Sequence, residues 1–183
     1  MNIYLAGPFF NEESRKVLYS ILGVIEGLCG HKVWAPMRDG ILCPLNADRE
    51  MRLKVFTLDC EQLHRVDCVV ALLDYPLPVH MHLRLRTQTP EGNAQECLMY
   101  LPDPGTVFEI GYTNGLNHAG NGYTYVIGYS SVGKFNLMVA EACDCIVSDL
   151  DQLERVMPLV AQHDDEALML LKIQYQKPIA TEI

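Results

Sequence analysis

The sequence predicts an α/β domain, a mostly parallel sheet with helices on both faces. Three observations carry this. Short runs of almost entirely apolar residues recur along the chain, helix-period segments separate them, and no repeat or linker interrupts the alternation. Strands buried on both faces read as continuous apolar runs rather than alternating ones, and strand-helix alternation implies parallel crossovers. At 183 residues and 49% hydrophobic, the chain fits one domain, residues 1–183, around a single good core.

Taken in order, the strands are 2–7 (NIYLAG), 31–36 (HKVWAP), 67–74 (DCVVALLD), 123–129 (YTYVIGY) and a short 144–147 (DCIV), five in all. Between them, helices are expected over 11–29, with Val17, Ile21, Val24, Ile25 and Leu28 on one face, and over 48–66, with Met51, Val55, Leu58 and Val66 on one face. Two more are expected at 105–118 and from about 149 to 172. Residues 75–102 break the rhythm, being too long for an ordinary strand-to-helix loop. Within them VHMHLRLR alternates strictly and TPEGN can return it, so a β-hairpin-like insertion is predicted there, forming a flap or an interface arm. His80 and His82, two residues apart with no third ligand in reach, read as solvated side chains rather than a metal pair.

Composition narrows the function. The formal charge is −9 and the pI near 5.0, which argues against nucleic acid or an anionic membrane as a partner. No apolar run approaches the roughly 18 residues of a membrane span, and the start MNIYLAGPFF lacks a signal-peptide pattern, so a cytoplasmic location is expected. Seven cysteines without zinc-type spacing read as reduced thiols, and neither a metal nor a cofactor is predicted.

Ligands of doubly wound sheets bind beyond the carboxyl ends of the strands. Asp39, Asp74, Asp103 and Glu109 fall near that rim, and Asp59 lies on the helix before the third strand. Asp103 in the Asp-Pro-Gly turn and Asp39 in Arg-Asp-Gly have ready structural readings as turn or cap residues, and Asp67 and Asp74 as strand boundaries. Glu109 resists such a reading. It sits among Val107, Phe108, Ile110 and Leu116, and Gly105, Gly111 and Gly115 suggest a close approach of backbone or ligand. A carboxylate so placed is partly desolvated, with a raised pKa and a nucleophilicity less damped by water.

Four blocks, IYLAGPFF, LDCEQLHRVDCVVALLD, PDPGTVFEIGY and KFNLMVAEACD, occur in an order that resembles the nucleoside 2-deoxyribosyltransferases, from residue 3 to about 147. The D-x-G-[ST]-x-x-E-x-G block is the specific one. The resemblance implies a flavodoxin-like doubly wound sheet. It also implies an enzyme that cleaves the N-glycosidic bond of a 2'-deoxynucleoside, holds the deoxyribosyl group on a glutamate with net retention, and passes it to another nucleobase. By the same resemblance Glu109 is the nucleophile and Tyr4 orients it, while Asp59 and Asp103 hold base and sugar and deliver a proton to the leaving base. Gly7, Phe9, Phe10, Asp39 and Gly105 fall in substrate-binding segments. Asn136 and Met138 match a segment that, in the family, reaches into a neighbouring subunit's site, implying a homo-oligomer, dimer or hexamer, with shared sites. The partners are then small deoxynucleosides and free nucleobases. The chain departs from many such transferases by ending KPIATEI rather than in a tyrosine, and by its long 75–102 insertion.

Two rivals stand beside this reading. A nucleoside 5'-monophosphate N-glycosidase needs a phosphate-binding loop, which AGPFFNEES does not resemble. A non-catalytic nucleotide-binding module would be expected to lose the nucleophile or its acid partner, yet Tyr4, Asp59, Asp103 and Glu109 are all present. The preference between purine and pyrimidine bases stays open.

Overall fold

The computed structural model describes residues 1–28, 30–75, 84–88, 94–98, 102–120, 122–132 and 137–175, with backbone alone for 84–88 and 94–98. Five parallel strands form the main sheet: β1 (Asn2–Ala6), β2 (Lys32–Trp34), β3 (Cys68–Leu72), β6 (Tyr125–Tyr129) and β7 (Cys145–Val147), in the order β2-β1-β3-β6-β7. This is the flavodoxin-like doubly wound arrangement, and its strand order reverses between β1 and β3, whose registers run Tyr4 beside Val69 and Ala6 beside Ala71. The helices are α1 (Glu12–Gly27), α2 (Pro36–Asp39), α3 (Arg49–Leu63), α4 (Pro104–His118), α5 (Leu137–Glu141), α6 (Leu150–Gln162) and α7 (Asp165–Tyr175). Within the predicted insertion, β4 (Arg84–Gln88) pairs antiparallel with β5 (Ala94–Leu98), Arg84 opposite Leu98. Residues 76–83, with His80 and His82, lie outside the described residues.

Side-chain acceptors start the long helices. Asn11 takes the Ser14 amide at 2.8 Å, Asp48 that of Met51 at 2.8 Å, Asp103 that of Thr106 at 3.0 Å and Asp149 that of Gln152 at 2.8 Å. Each cap satisfies an amide that has no partner inside its helix. The sheet divides two apolar layers. Ile3 and Leu5 of β1 point into one with Leu18, Ile21, Leu22 and Ile25 of α1 and Leu153, Val156 and Met157 of α6. Tyr4 and Ala6 point into the other with Leu63 of α3, Ile110 of α4 and Val139 of α5.

The structure corrects the sequence reading in several places. The second strand is only Lys32–Trp34, because Pro36 opens a short helix instead of extending it. The helix expected over about 149–172 is two helices, broken at His163, whose φ of 56° and ψ of 40° are left-handed, and Asp164 restarts the chain by accepting the Ala167 amide at 3.0 Å. On α1 the buried face is Leu18, Ile21, Leu22 and Ile25, with Val17, Val24 and Leu28 only flanking it. On α3 the expected stripe is out of phase. Met51 is exposed, Leu58 turns toward an outer groove with Leu53 and Lys54, and the face turned inward is Phe56, Asp59, Cys60 and Leu63.

Candidate active site

The inward faces of α3 and α4 meet over the sheet beside Tyr4. Positions 56, 59, 60 and 63 share one side of α3, and 105, 108, 109 and 112 share one side of α4, each set following the i, i+3, i+4, i+7 spacing of a single helical face. Between them Phe56, Asp59, Cys60, Leu63, Gly105, Phe108 and Glu109 line a cavity of about 190 Å³. A larger cleft of about 470 Å³ lies on the outer side of α3, lined by Ile41, Glu50, Leu53, Lys54, Thr57, Leu58 and Glu61, but its two carboxylates are exposed, whereas Glu109 is held by a buried hydroxyl. Chemistry rather than size therefore marks the smaller cavity.

Tyr4 is fully buried in the middle of β1 and donates its hydroxyl to Glu109 Oε1 at 2.6 Å. The contact joins groups 105 residues apart and fixes one carboxylate oxygen of the nucleophile candidate. Burial raises the Glu109 pKa, the Tyr4 hydrogen bond pulls it back, and the charges of Asp59 and Asp103 raise it further, leaving it pushed up to about 7. Burial also raises Asp59 above the ordinary carboxylate range. Tyr4 itself is pushed well up by burial and by Glu109, so it remains a donor at any physiological pH. The site thus holds carboxyls that cannot all ionise cheaply together, a condition suited to splitting nucleophile and acid roles between neighbours.

Asp103 combines two duties. It caps α4, accepting from the Thr106 amide at 3.0 Å, and its charge acts on Glu109. Gly105 makes room for it, since a Cβ there would lie 2.9 Å from Asp103 Oδ2. Gly7 is needed for packing, because its Cβ would meet Leu18 Cδ2 at 2.7 Å and Leu72 Cβ at 3.0 Å. Gly111 and Gly115, by contrast, face open space, and no backbone of another element approaches them among the described residues.

The profile of the nucleoside 2-deoxyribosyltransferases matches residues 3–157, most of the chain. The chain belongs to that family. Among solved structures, this family member is similar to a 2-deoxyribosyltransferase from Bacillus psychrosaccharolyticus, at 24% identity over 84% of this chain and 90% of that one, with a TM-score of 0.62. It is also similar to a conserved protein from Enterococcus faecalis V583 (17% identity, 89% and 98% covered, TM-score 0.59) and to a 2-desoxiribosyltransferase from Leishmania mexicana (18%, 88% and 98%, 0.52). At these identities the likeness shows the shared fold. No curated protein matches the chain in sequence.

The remaining residues expected to contact substrate in this deoxyribosyltransferase-family chain are dispersed. Asp39 is held by Arg38 at 2.8 and 2.9 Å and accepts the Ala35 amide at 2.9 Å, and Arg38 keeps its carboxyl below the usual range. It stands outside the Glu109 cavity. Phe9 packs against the α1-side core, while Phe10, its ring centroid 5.0 Å away, is 64% exposed. Met138 on α5 is 76% exposed, and Asn136 lies outside the described residues. Among the described residues no group of His, Cys, Asp and Glu is arranged to hold a metal, and no helix is long and apolar enough to cross a membrane. Cys60 and Phe56 went unnoticed in the sequence, though their spacing from Asp59 and Leu63 marks one helical face.

Proposed function

We propose that this family member transfers a 2-deoxyribosyl group between nucleobases through a covalent intermediate on Glu109. The observation that carries the proposal is the pairing of a buried, tyrosine-anchored carboxylate of pKa about 7 with Asp59 in one small cavity. Cleavage of the glycosidic bond builds oxocarbenium character at C1', which Glu109 stabilises and then traps as an ester. Asp59, whose raised pKa favours its protonated form, gives its proton to the departing base. The incoming base displaces Glu109 and returns a proton, so two inversions at one carbon give net retention. Asp103 acts on Glu109 through its charge and holds the start of α4.

The cavity accommodates the sugar, and the base then lies against the outer edges of Phe56 and Phe108, which touch each other with ring centroids 5.6 Å apart and are 51% and 46% exposed. Two features favour a neutral nucleoside over a nucleoside 5'-monophosphate. Among the described residues no Lys or Arg lines the cavity. At the carboxyl rim of β3 and β6, Asp74 already accepts from the Ser130 hydroxyl at 2.6 Å and from the Ser131 amide and hydroxyl at 2.6 and 2.7 Å, occupying donors that a phosphate would need.

A second copy of the chain is proposed to cover the site. Leu53, Phe56 and Met138 are large apolar side chains left more than half exposed, and a glycosyl ester needs shelter from water. Soluble homo-oligomers in the cytoplasm, acting on deoxynucleosides and free bases, follow from this reading. The test is product analysis with deoxyinosine and free cytosine or adenine. New deoxynucleoside supports transfer. Free hypoxanthine alone makes the protein a hydrolase, and release of base from a nucleoside monophosphate alone favours the nucleotide glycosidase.

A further inference from the structure

The turn of α4 that follows Glu109 is weakened by glycine. Among the described residues nothing packs where side chains at Gly111 and Gly115 would stand, and glycine inside a helix leaves the backbone freer than any other residue does. Two polar side chains in that stretch fold back onto it. Thr113, fully buried, donates its hydroxyl to the Glu109 carbonyl at 2.8 Å, and Asn114 donates its side-chain amide to the Ile110 carbonyl at 3.0 Å. Both bonds run from residue i to i−4, beside the backbone bond that the same carbonyl accepts, and such bonds can bend a helix. Asn114 Nδ2 also donates to the Ala142 carbonyl at 2.9 Å, just past the end of the five-residue α5. Its two hydrogens are thus divided between the nucleophile's turn of α4 and the end of α5. Ile110 and Val139 of α5 pack in the same apolar layer as Tyr4.

We propose that Asn114 is a positioning residue for Glu109, tying the nucleophile's turn of α4 to α5 so that the carboxylate stays on the Tyr4 hydroxyl. The inference rests on the reading of Glu109 as the nucleophile. Tyr4 is fixed by its burial in β1, whereas Glu109 reaches it from a different element through a long side chain. Their 2.6 Å contact lasts only while the backbone at Glu109 keeps its place over β1. A drift of α4 by about 1 Å takes the pair out of hydrogen-bond range. At its start α4 is held by Asp103 on the Thr106 amide. Near its end Asn117 donates to the Thr124 carbonyl at 2.9 Å and accepts the Thr124 amide at 2.8 Å. Glu109 lies between these anchors, and Asn114 supplies the hold toward α5 in the interval. The amide is what the position needs: a carboxylate would set negative oxygens against two carbonyls, and an alkyl group offers no donor.

Asn114→Leu keeps the size and branching of the side chain and removes both bonds. With deoxynucleoside and free base at saturation, kcat should fall roughly 10-fold with KM unchanged, within the ~10²-fold that a misplacement of about 1 Å can cost. Asn117→Ala is the control, a lost tether on the same helix farther from the nucleophile, and should lower the melting temperature while kcat keeps its wild-type value. The decisive comparison is a double-mutant cycle with Tyr4→Phe. If Asn114 acts by holding Glu109 on that hydroxyl, its loss in the Tyr4→Phe background should cost about 2-fold or less in kcat, whereas the losses of independent sites add. Wild-type kcat in folded Asn114→Leu, equal losses in the two backgrounds, or an equal kcat loss in Asn117→Ala would overturn the assignment. Should Asn114→Leu fail to fold, Asn114→Ala carries the same comparison. The NMR titration of the Glu109 carboxyl needs no turnover. Tyr4→Phe should raise its midpoint in the native background, because the Tyr4 hydrogen bond lowers it, and raise it less in Asn114→Leu. An equal rise in both would also overturn the assignment. A wild-type protein without base exchange would instead refute the functional reading, leaving this titration to judge the positioning.

Discussion

Glu109 is pulled in two directions: burial and two neighbouring aspartates favour its proton, and the Tyr4 hydroxyl favours its charge. Removing the hydroxyl therefore raises its proton affinity. Tyr4→Phe should move the acid limb of the kcat profile to higher pH and lower the plateau by roughly 10- to 100-fold, about 1.4 to 3 kcal/mol of lost charge stabilisation and positioning. An unmoved limb in a folded variant would separate Tyr4 from the nucleophile. The same shift has a stability consequence. A carboxyl whose folded pKa of about 7 exceeds its unfolded value contributes stability below about pH 4.5 that is lost as pH rises through 7. Glu109→Gln should accordingly melt higher than wild type at pH 8, by up to the order of 3 kcal/mol, and nearly with it at pH 4. Thermal melts at the two pH values decide this. Glu109 was legible in the sequence because a charge inside an apolar helical run violates the local pattern, and such violations concentrate at sites. Tyr4 was not legible from pattern alone: a tyrosine in an apolar strand reads as core, which it also is, and its role there came only through the family resemblance.

At the scale of elements, α3 shows why the site was harder to read than the sheet. A phase fitted to its apolar residues selects Met51, Val55 and Leu58, yet the side turned inward carries Asp59 and Cys60. The polar groups proposed for the chemistry weaken the amphipathic signal of the helix that holds them, and exposed Leu53 and Phe56 weaken it again. The strands were easier, since burial on both faces leaves β3 and β6 uniformly apolar. The α6–α7 break was missed because His163 adopts a left-handed conformation that glycine usually marks. Tight packing sets a further expectation. Gly7→Ala drives a methyl into Leu18 and Leu72 where β1 leaves the sheet, and should cost about 1 to 3 kcal/mol in urea unfolding. Asp103→Ala removes the α4 cap, worth about 1 kcal/mol, and should lower kcat by more than that loss of stability explains, because the residue also faces Glu109.

For the whole molecule, one sheet joins two apolar layers, and large apolar side chains are exposed outside both: Leu53, Phe56, Phe108 and Met138 on the α3, α4 and α5 side, and Tyr19, Met169, Leu170 and Ile173 on the α1 and α7 side. Sedimentation at micromolar concentration should therefore find an oligomer, and Leu53→Glu should shift it toward monomer while lowering kcat/KM. A fully active monomer would remove the need for a covering copy. The five-stranded sheet was readable because its strands are short, apolar and separated by helices. The assembly was not, since surface apolar residues in one sequence look the same whether they face water or a partner.

The central claim is that Glu109 carries the deoxyribosyl group. The most direct measurement is mass spectrometry of the protein quenched in acid seconds after mixing with a deoxynucleoside and no acceptor base, followed by peptide mapping. The account predicts an added deoxyribosyl mass on the peptide containing Glu109, absent from Glu109→Gln and discharged when a free base is supplied before quenching. Base release at full rate with no adduct on that peptide, or undiminished exchange in Glu109→Gln, would contradict it.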